Sequence, residues 1–252
     1  MLCKIADLIV DVPEAGGLAP RCREYLYSGT ERPDIVIDPK RYNRSRYSPL
    51  ATEEQLAYME SGRQFNAKLI MFDGFYLHSS AVGVDGRAYL FSGKSGVGKS
   101  THVGLWQKLL GEKVCRFNDD KPALRLRNGT WYAYGTPWCG KDGINENKHF
   151  PIAGICFLQQ GDKNEIRRLT HQEAVTRLLS QTIYRFRNPE RLNQMLGHLE
   201  RLVEQIPIYE LVNRPEIEAA KLSYETMRSE NQAGEDVDAF LNVMRNAGCI
   251  EE

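Results

Sequence analysis

The sequence lacks the features that mark secreted, membrane-spanning and nucleic-acid-binding proteins. Its six cysteines lie far apart with no Cys-x-x-Cys spacing, which argues against a disulfide framework and a zinc site. No apolar run approaches the roughly 18 residues that cross a bilayer, and the first residues contain no apolar signal-peptide core. Lys and Arg total 33, as do Asp and Glu, so no net charge attracts nucleic acid or anionic membranes. We therefore expect a cytoplasmic protein with reduced thiols that binds neither nucleic acid nor membranes.

What the sequence contains is typical of a mixed α/β (α+β) globular protein. The 252 residues suffice for one core and a small annex. Asp85-Gly86 and Asn128-Gly129 each predict a hairpin turn. The predicted strands are 4–12, 34–38, 75–84, 87–91, 114–117, 123–127, 130–134, 151–158 and 208–212. The predicted helices are 52–72, 102–110, 170–183, 189–205, 215–228 and 237–246.

These elements suggest a division of the chain into three parts. Residues 1–74 are expected to form a small N-terminal α/β segment, and 75–228 the main core. Residues 229–252 are expected to be a polar linker followed by a C-terminal helix. The polar stretch at 41–48 is read as a solvated loop in preference to a binding patch.

One segment carries a specific chemical motif. Gly93-Lys94-Ser95-Gly96-Val97-Gly98-Lys99-Ser100 matches G-x-x-x-x-G-K-[ST] at every required position, with a predicted strand before it and a predicted helix after it. Glycines let backbone N–H groups turn inward around phosphate oxygens, and the following helix directs its positive end at the same anion. The residues expected to hold the phosphates are Gly93, Ser95, Gly96, Val97, Gly98, Lys99, Ser100 and Thr101. Lys99 should reach the β- and γ-phosphates, and Ser100 should ligate Mg²⁺.

Two further segments carry groups that suit phosphoryl transfer. Asp119 and Asp120 end a predicted strand 19 residues after Ser100, where a carboxylate can return beside the phosphate loop. One carboxylate of such a pair can hold Mg²⁺, and the other can accept a proton from an attacking hydroxyl. The alternative is a solvated Asn-Asp-Asp turn. His78 precedes the first hairpin, and from spacing alone a structural histidine is the commoner case.

Taken together, these segments resemble a known family. His78-Ser79-Ser80, the loop Gly93–Ser100 and Asp119-Asp120 occur in the same order as in the catalytic domains of HPr kinase/phosphorylases. ATP-dependent phosphoenolpyruvate carboxykinases show a similar, more distant arrangement. The resemblance covers about residues 75–160 and implies a P-loop core of the HPr kinase C-terminal type. It also implies ATP- and Mg²⁺-dependent phosphorylation of a hydroxyl, often a serine, by a chain that forms a homo-oligomer.

The resemblance also implies individual roles. Asp119 matches the base toward the acceptor hydroxyl, Asp120 the metal-associated carboxylate, and His78 the histidine close to metal and phosphates. The sequence departs from the family in its N-terminal 74 residues and lacks the stretch that grips HPr. HPr is therefore not the expected acceptor, which is left as a protein, peptide or small molecule.

For each remaining candidate residue, a functional role competes with a structural one. Lys141 is either a stabiliser of transferring phosphoryl charge or a surface lysine. Cys139 has no base partner identifiable from sequence and is read as a structural thiol. Arg185 and Arg187 follow a helix end, where capping explains them better than a phosphate clamp. For the whole chain, the alternative to a kinase is a nucleotide-binding regulatory module that transfers no phosphate.

Overall fold

The computed structural model describes residues 1–14, 17–38, 47–182 and 188–229. The predicted helix 237–246, nearly all of the predicted linker, and Arg185 and Arg187 lie outside the described residues, as does most of the polar stretch 41–48.

Within those ranges, runs of consecutive strands are separated by helices along the chain. The strands are β1 (Leu2–Ile5), β2 (Leu8–Asp11), β3 (Ile35–Val36), β4 (Gly74–Tyr76), β5 (Ser79–Val84), β6 (Arg87–Ser92), β7 (Cys115–Asp120), β8 (Ala123–Arg127), β9 (Thr130–Tyr134), β10 (His149–Gln160), β11 (Glu165–Arg168) and β12 (Ile208–Asn213). The α-helices are α1 (Leu18–Arg21), α2 (Glu53–Leu69), α3 (Lys99–Leu110), α4 (His171–Gln181), α5 (Pro189–Gln205) and α6 (217–229). The prediction of a mixed α/β fold is thus confirmed.

A large curled sheet organises the molecule. Its strands follow the order β4-β8-β9-β10-β6-β5-β7, and β12 and β11 extend it from β10. The first residues of β10 pair antiparallel with β9, whereas its later residues pair in parallel with β6 and β12. Because one strand belongs to both halves, the sheet bends along β10.

Helices cover both faces of the half that contains β6. On one face, Val103 and Trp106 of α3 pack with Ala220 and Met227 of α6. On the other face, α4 and α5 contribute buried side chains that include Leu178 and Leu199. The covering of both faces explains why β6 and β10 are largely apolar and buried.

The N-terminal residues add a small sheet with the order β1-β2-β3. The prediction of one strand over 4–12 was wrong, because Ala6 and Asp7 turn the chain back with φ values of 51° and 58°. Alanine is rare at left-handed positions, so the sequence carried no turn signal there. The sheet packs with Phe65 of α2 and Trp138 in one apolar cluster.

Two other elements differ from their predictions. The predicted strand 75–84 is divided, since Leu77 and His78 leave the sheet and bond instead to Thr182 and Gln181 at the end of α4. Helix α2 ends at Leu69, and 70–72 form a 3₁₀ turn. The start of α2 is fixed by a capping box between Thr52 and Gln55.

None of the helices in the described ranges combines the length and apolar character needed to cross a membrane.

Candidate functional site

Strand register brings the three sequence segments to one end of the large sheet. Ser79, the first residue of β5, lies opposite both Ser92, the last residue of β6, and Asp120, the last residue of β7. His78 directly precedes Ser79, and Gly93 directly follows Ser92. The hydroxyl of Ser92 donates to the carbonyl of His78 at 2.9 Å. Antiparallel pairing on β5 therefore places the histidine, the glycine-rich loop (Gly93–Gly98) and the two aspartates side by side.

The glycine-rich loop has the backbone that an anion cradle requires. Gly93, Gly96 and Gly98 have φ values of 138°, 80° and 106°, which non-glycine residues rarely adopt. Gly98 is the N-cap of α3, so the free N–H groups of the first helical turn face the end of the sheet. The ammonium of Lys99 donates to the carbonyls of Gly93 and Lys94 at 3.2 and 3.3 Å. The lysine thus lies folded across the loop.

Asp119 is almost buried and faces the loop. Its residue exposure is 8%. Its Oδ1 accepts hydrogen bonds from the hydroxyls of Ser80 and Ser100, at 2.8 and 3.2 Å. The N–H of Gly140 donates to its carbonyl. Gly140 approaches so closely that an added Cβ would lie 2.9 Å from Oδ2 of Asp119. Asp119 is therefore fixed beside Ser100 by neighbours on several elements.

Asp120 has different surroundings, although it is the next residue. Its side chain is 27% exposed, and its carboxylate pairs with Lys121 through Oδ2. Its Oδ1 lies 3.4 Å from Nε2 of His78. Its φ of 109° is strained for a residue with a side chain. The Asp120 carboxylate thus faces His78 and Lys121, whereas that of Asp119 faces Ser80 and Ser100.

His78 joins this group to α4. Its Nδ1 lies 3.1 Å from Oε1 of Gln181, and its backbone N–H donates to the Gln181 carbonyl at 3.0 Å. Burial lowers the pKa of His78, the Lys99 charge lowers it further, and Asp120 opposes the shift. Burial also lowers the pKa of Lys99, against the attraction of Asp120 and Asp119. The two nitrogen groups and two carboxylates form one electrostatic cluster.

Three clefts surround the site, and two of them are lined by the glycine-rich loop. The loop cleft, of about 500 Å³, contains Lys99, Ser100, Asp119, Asp120 and His78. Ser95, Gly96, Gly98, Thr101 and Lys141 also line it. The α4 cleft, of about 470 Å³, lies beyond Gly93 and Val97 and reaches Gln181. The inner cleft, of about 290 Å³, connects His78 and Asp120 with residues 180–182.

Every site residue predicted from the sequence therefore lines at least one of these clefts. Lys141 is exposed and reaches the group only as part of the wall of the loop cleft. Its two readings, charge stabiliser and surface lysine, both remain compatible with that position.

Hydrogen bonds from Tyr58 and Arg21 hold the segment before Lys141 in place. Tyr58 of α2 accepts from the backbone N–H of Cys139 at 2.8 Å and donates to its carbonyl at 2.9 Å. The guanidinium of Arg21 donates to the Cys139 thiol and to Tyr58, each at 2.9 Å. Burial raises the pKa of this thiol, although Arg21 opposes the shift. A buried thiol with a raised pKa is a poor nucleophile, which fits the structural reading of Cys139.

Gln181 and Gly140 were not identified from the sequence as parts of the site. Gln181 is 103 residues from His78, and no local pattern links the two. Gly140 was visible only within a run of Gly, Pro and Trp that predicts a shaped loop. Its close contact with Asp119 depends on how the chain returns from β9.

Comparison with known proteins gives a distant structural likeness. No family model matches the chain, and no curated protein matches its sequence. A solved structure, the Hpr(Ser) kinase/phosphatase from Coxiella burnetii, is similar with a TM-score of 0.39 and 12% sequence identity. The match covers 67% of this chain and 97% of that chain. Such a relationship is distant at most, so the geometry of the site has to carry any functional proposal.

Proposed function

We propose that this chain is an ATP- and Mg²⁺-dependent kinase that transfers the γ-phosphoryl group to a hydroxyl acceptor. The observation that carries the proposal is the joint position of Lys99, Ser100 and the two aspartates in the loop cleft. A cradle of N–H groups suits the phosphates, and the carboxylates beside it suit a cation and a proton. The acceptor is a serine-type hydroxyl on a protein, peptide or small molecule.

The residues present fit a magnesium ion that is shared with the nucleotide. The Ser100 hydroxyl and Oδ1 of Asp119 lie 3.2 Å apart, and both are hard oxygen ligands of the kind Mg²⁺ prefers. The described residues contain no cluster of three or more His, Cys, Asp or Glu that would hold a metal alone. Phosphate oxygens would supply the remaining ligands, as is usual for Mg²⁺. When bound, the ion would neutralise charge on the β- and γ-phosphates.

The surroundings of the two aspartates favour a division of roles opposite to the one implied by the resemblance. Asp119 is buried and already bonded to Ser100, which suits the metal side. Asp120 lines both the loop cleft and the inner cleft, where an acceptor has room to approach it. We therefore assign the proton-accepting role to Asp120 and the metal-associated role to Asp119.

In the proposed reaction, the acceptor hydroxyl gives its proton to the Asp120 carboxylate as its oxygen attacks the γ-phosphorus. The bond from that phosphorus to the bridging oxygen breaks, and ADP leaves with the bond's electron pair. Lys99 and the N–H groups of the glycine-rich loop stabilise the charge on the phosphoryl oxygens. His78 lies beside Asp120 and is able to share the transferred proton.

The proposal is tested by the fate of the γ-phosphate of labelled ATP in a cell extract. The wild-type chain should transfer label to an acceptor, and Lys99→Ala should lower transfer by a factor of about 100 or more. Lys108→Ala, an exposed lysine at the far end of the same helix, is the matched control and should behave as wild type.

Three results would contradict the proposal. Release of inorganic phosphate alone, or nucleotide binding without turnover, would favour a regulatory module that binds nucleotide. Unchanged transfer by Lys99→Ala would remove the assigned role of the glycine-rich loop.

A further inference from the structure

A chain of hydrogen bonds runs from His78 into the last turn of α4. Nδ1 of His78 lies 3.1 Å from Oε1 of Gln181. Nε2 of Gln181 lies 3.4 Å from Oγ of Ser180, and that oxygen lies 2.6 Å from the carbonyl of Arg177. Each link is made by a side chain of the same helix end, and none involves the phosphate loop.

The final carbonyl fixes the direction of every link. A carbonyl only accepts, so the single hydroxyl proton of Ser180 is committed to Arg177. Toward Gln181, Ser180 therefore offers only a lone pair, and the amide must turn its NH₂ group to it. That orientation leaves the amide oxygen facing His78. The oxygen accepts a hydrogen bond from the Nδ1–H group and cannot donate one.

We infer that Gln181 is a positioning residue that holds neutral His78 as the Nδ1–H tautomer and points the Nε2 lone pair at the site. The backbone contributes to the same end, because the Gln181 carbonyl accepts the N–H of His78 at 3.0 Å. Both contacts come from one residue, so the position and the tautomer of the imidazole are set together.

The direction of the lone pair has a consequence that rests on the proposed kinase function. Nε2 lies 3.4 Å from Oδ1 of Asp120, and Lys121 pairs with the other oxygen of that carboxylate. In the Nδ1–H tautomer, Nε2 is free to accept a proton that Asp120 takes from the acceptor hydroxyl. In the other tautomer, an Nε2–H group would occupy the Asp120 oxygen and oppose that transfer.

The tautomer is measured directly by long-range ¹H–¹⁵N correlation spectra of the ¹⁵N-labelled protein. At a pH of about 8.5, two units above the ordinary histidine pKa, the imidazole is neutral. The wild type should show a protonated Nδ1 and an unprotonated Nε2 for His78. Loss of that signal set in His78→Asn identifies it.

Matched substitutions of Gln181 distinguish the effect of its hydrogen-bond acceptor from the effect of its side-chain size. Gln181→Met removes the acceptor at similar size, so His78 should move to the Nε2–H tautomer and donate to Asp120. Gln181→Glu keeps an acceptor and should keep the wild-type tautomer. Gln172→Met, an exposed glutamine on the first turn of α4, should change nothing. In the kinase assay, Gln181→Met should lower kcat about tenfold with the KM for ATP unchanged.

The outcomes distinguish this inference from the kinase proposal. A wild-type His78 protonated at Nε2, or an unchanged tautomer in Gln181→Met, would overturn the inference whether or not the chain transfers phosphate. If Gln181→Met does not fold, the wild-type and Gln181→Glu spectra still decide. A shifted tautomer with unchanged kcat would overturn the consequence for catalysis.

Discussion

At the scale of single residues, two adjacent aspartates have been given different environments. Asp119 is buried, and the hydroxyls of Ser80 and Ser100 donate to its carboxylate. Asp120, the last residue of β7, has a positive φ. A strained φ costs on the order of 1–3 kcal/mol and tends to persist at functional sites. The two carboxylates have separate partners, which are Ser80 and Ser100 for Asp119 and His78 and Lys121 for Asp120.

We expect Asp120→Asn and Asp119→Asn to fail in different ways. Asp120→Asn should lower phosphoryl transfer by about 10²- to 10⁴-fold and leave Mg·ATP binding intact, because an amide cannot take the proton. Asp119→Asn should raise the Mg²⁺ concentration needed for half-maximal transfer. Transfer rates across a magnesium titration, together with nucleotide binding by calorimetry, make the comparison.

Asp85→Asn, in the exposed turn between β5 and β6, is the control and should resemble wild type. The opposite pattern would restore the assignment implied by the family resemblance. That pattern is loss of transfer in Asp119→Asn at saturating Mg²⁺ and retained transfer in Asp120→Asn.

At the scale of elements, the segment 136–140 braces the carboxylates from outside the sheet. Thr136 accepts from Asn118 through its carbonyl at 3.0 Å, and Trp138 is buried and donates to Ser61 of α2 at 2.9 Å. Gly140 then bonds to the Asp119 backbone. The position of Asp119 therefore depends on α2, which contributes no group to the reaction itself.

Gly140→Ala should disturb this brace. The new Cβ would lie 2.9 Å from Oδ2 and 3.2 Å from the carbonyl oxygen of Asp119, so one of the two segments must move. Overpacking of this kind costs about 1–3 kcal/mol of stability, and the displaced carboxylate should lower transfer as well. Urea unfolding and the transfer assay measure the two effects.

Gly104→Ala is the matched control, because its Cβ would meet nothing within 4 Å in the middle of α3. It should stabilise the protein by about 0.5–1 kcal/mol, since alanine loses less backbone entropy in a helix. Equal stability changes of the two variants would show that the Gly140 contact does not matter.

The elements also show what the sequence could and could not predict. The glycine-rich loop and both hairpins were predictable, because their signals are local: Gly-Lys-Ser spacing, Asp-Gly and Asn-Gly. The break at His78 was not, because its backbone partner is Gln181 on a distant helix. Nothing local distinguishes Gln181 from Gln172 on the same helix. Residues that act through contacts distant in sequence produce no local sequence pattern from which they could be predicted.

At the scale of the whole molecule, the helical layer beside the loop contains a buried polar cluster. His102 of α3 is 1% exposed, and its Nε2 lies 2.9 Å from the Ser223 hydroxyl of α6. The indole N–H of Trp106 donates to the same hydroxyl at 2.9 Å. Burial lowers the pKa of His102 to about 4. The helix that begins at Lys99 is thus attached to α6 through a histidine that must stay neutral.

Stability should therefore fall with acidity in a defined window. In the unfolded chain His102 binds a proton below about pH 6.5, whereas the folded chain resists protonation down to about pH 4. The unfolded state gains the proton first, so the contribution of His102 to stability is constant above pH 6.5 and declines as the pH falls toward 4. Between pH 7 and pH 5, His102 alone should account for a loss of about 2 kcal/mol in the free energy of unfolding, measured by urea titration.

The same titration of two variants assigns that loss to one residue. His102→Gln has no titrating group at this position and should lose correspondingly less stability between pH 7 and pH 5, even if it starts lower. His149→Gln, an exposed histidine on β10, should keep the wild-type slope. The packing cost of a substitution is the same at both pH values, so it cancels in the difference between them. The change of unfolding free energy with pH therefore reports only the protonation of the substituted residue. Parallel slopes for wild type and His102→Gln would show that the acid sensitivity of the fold arises elsewhere.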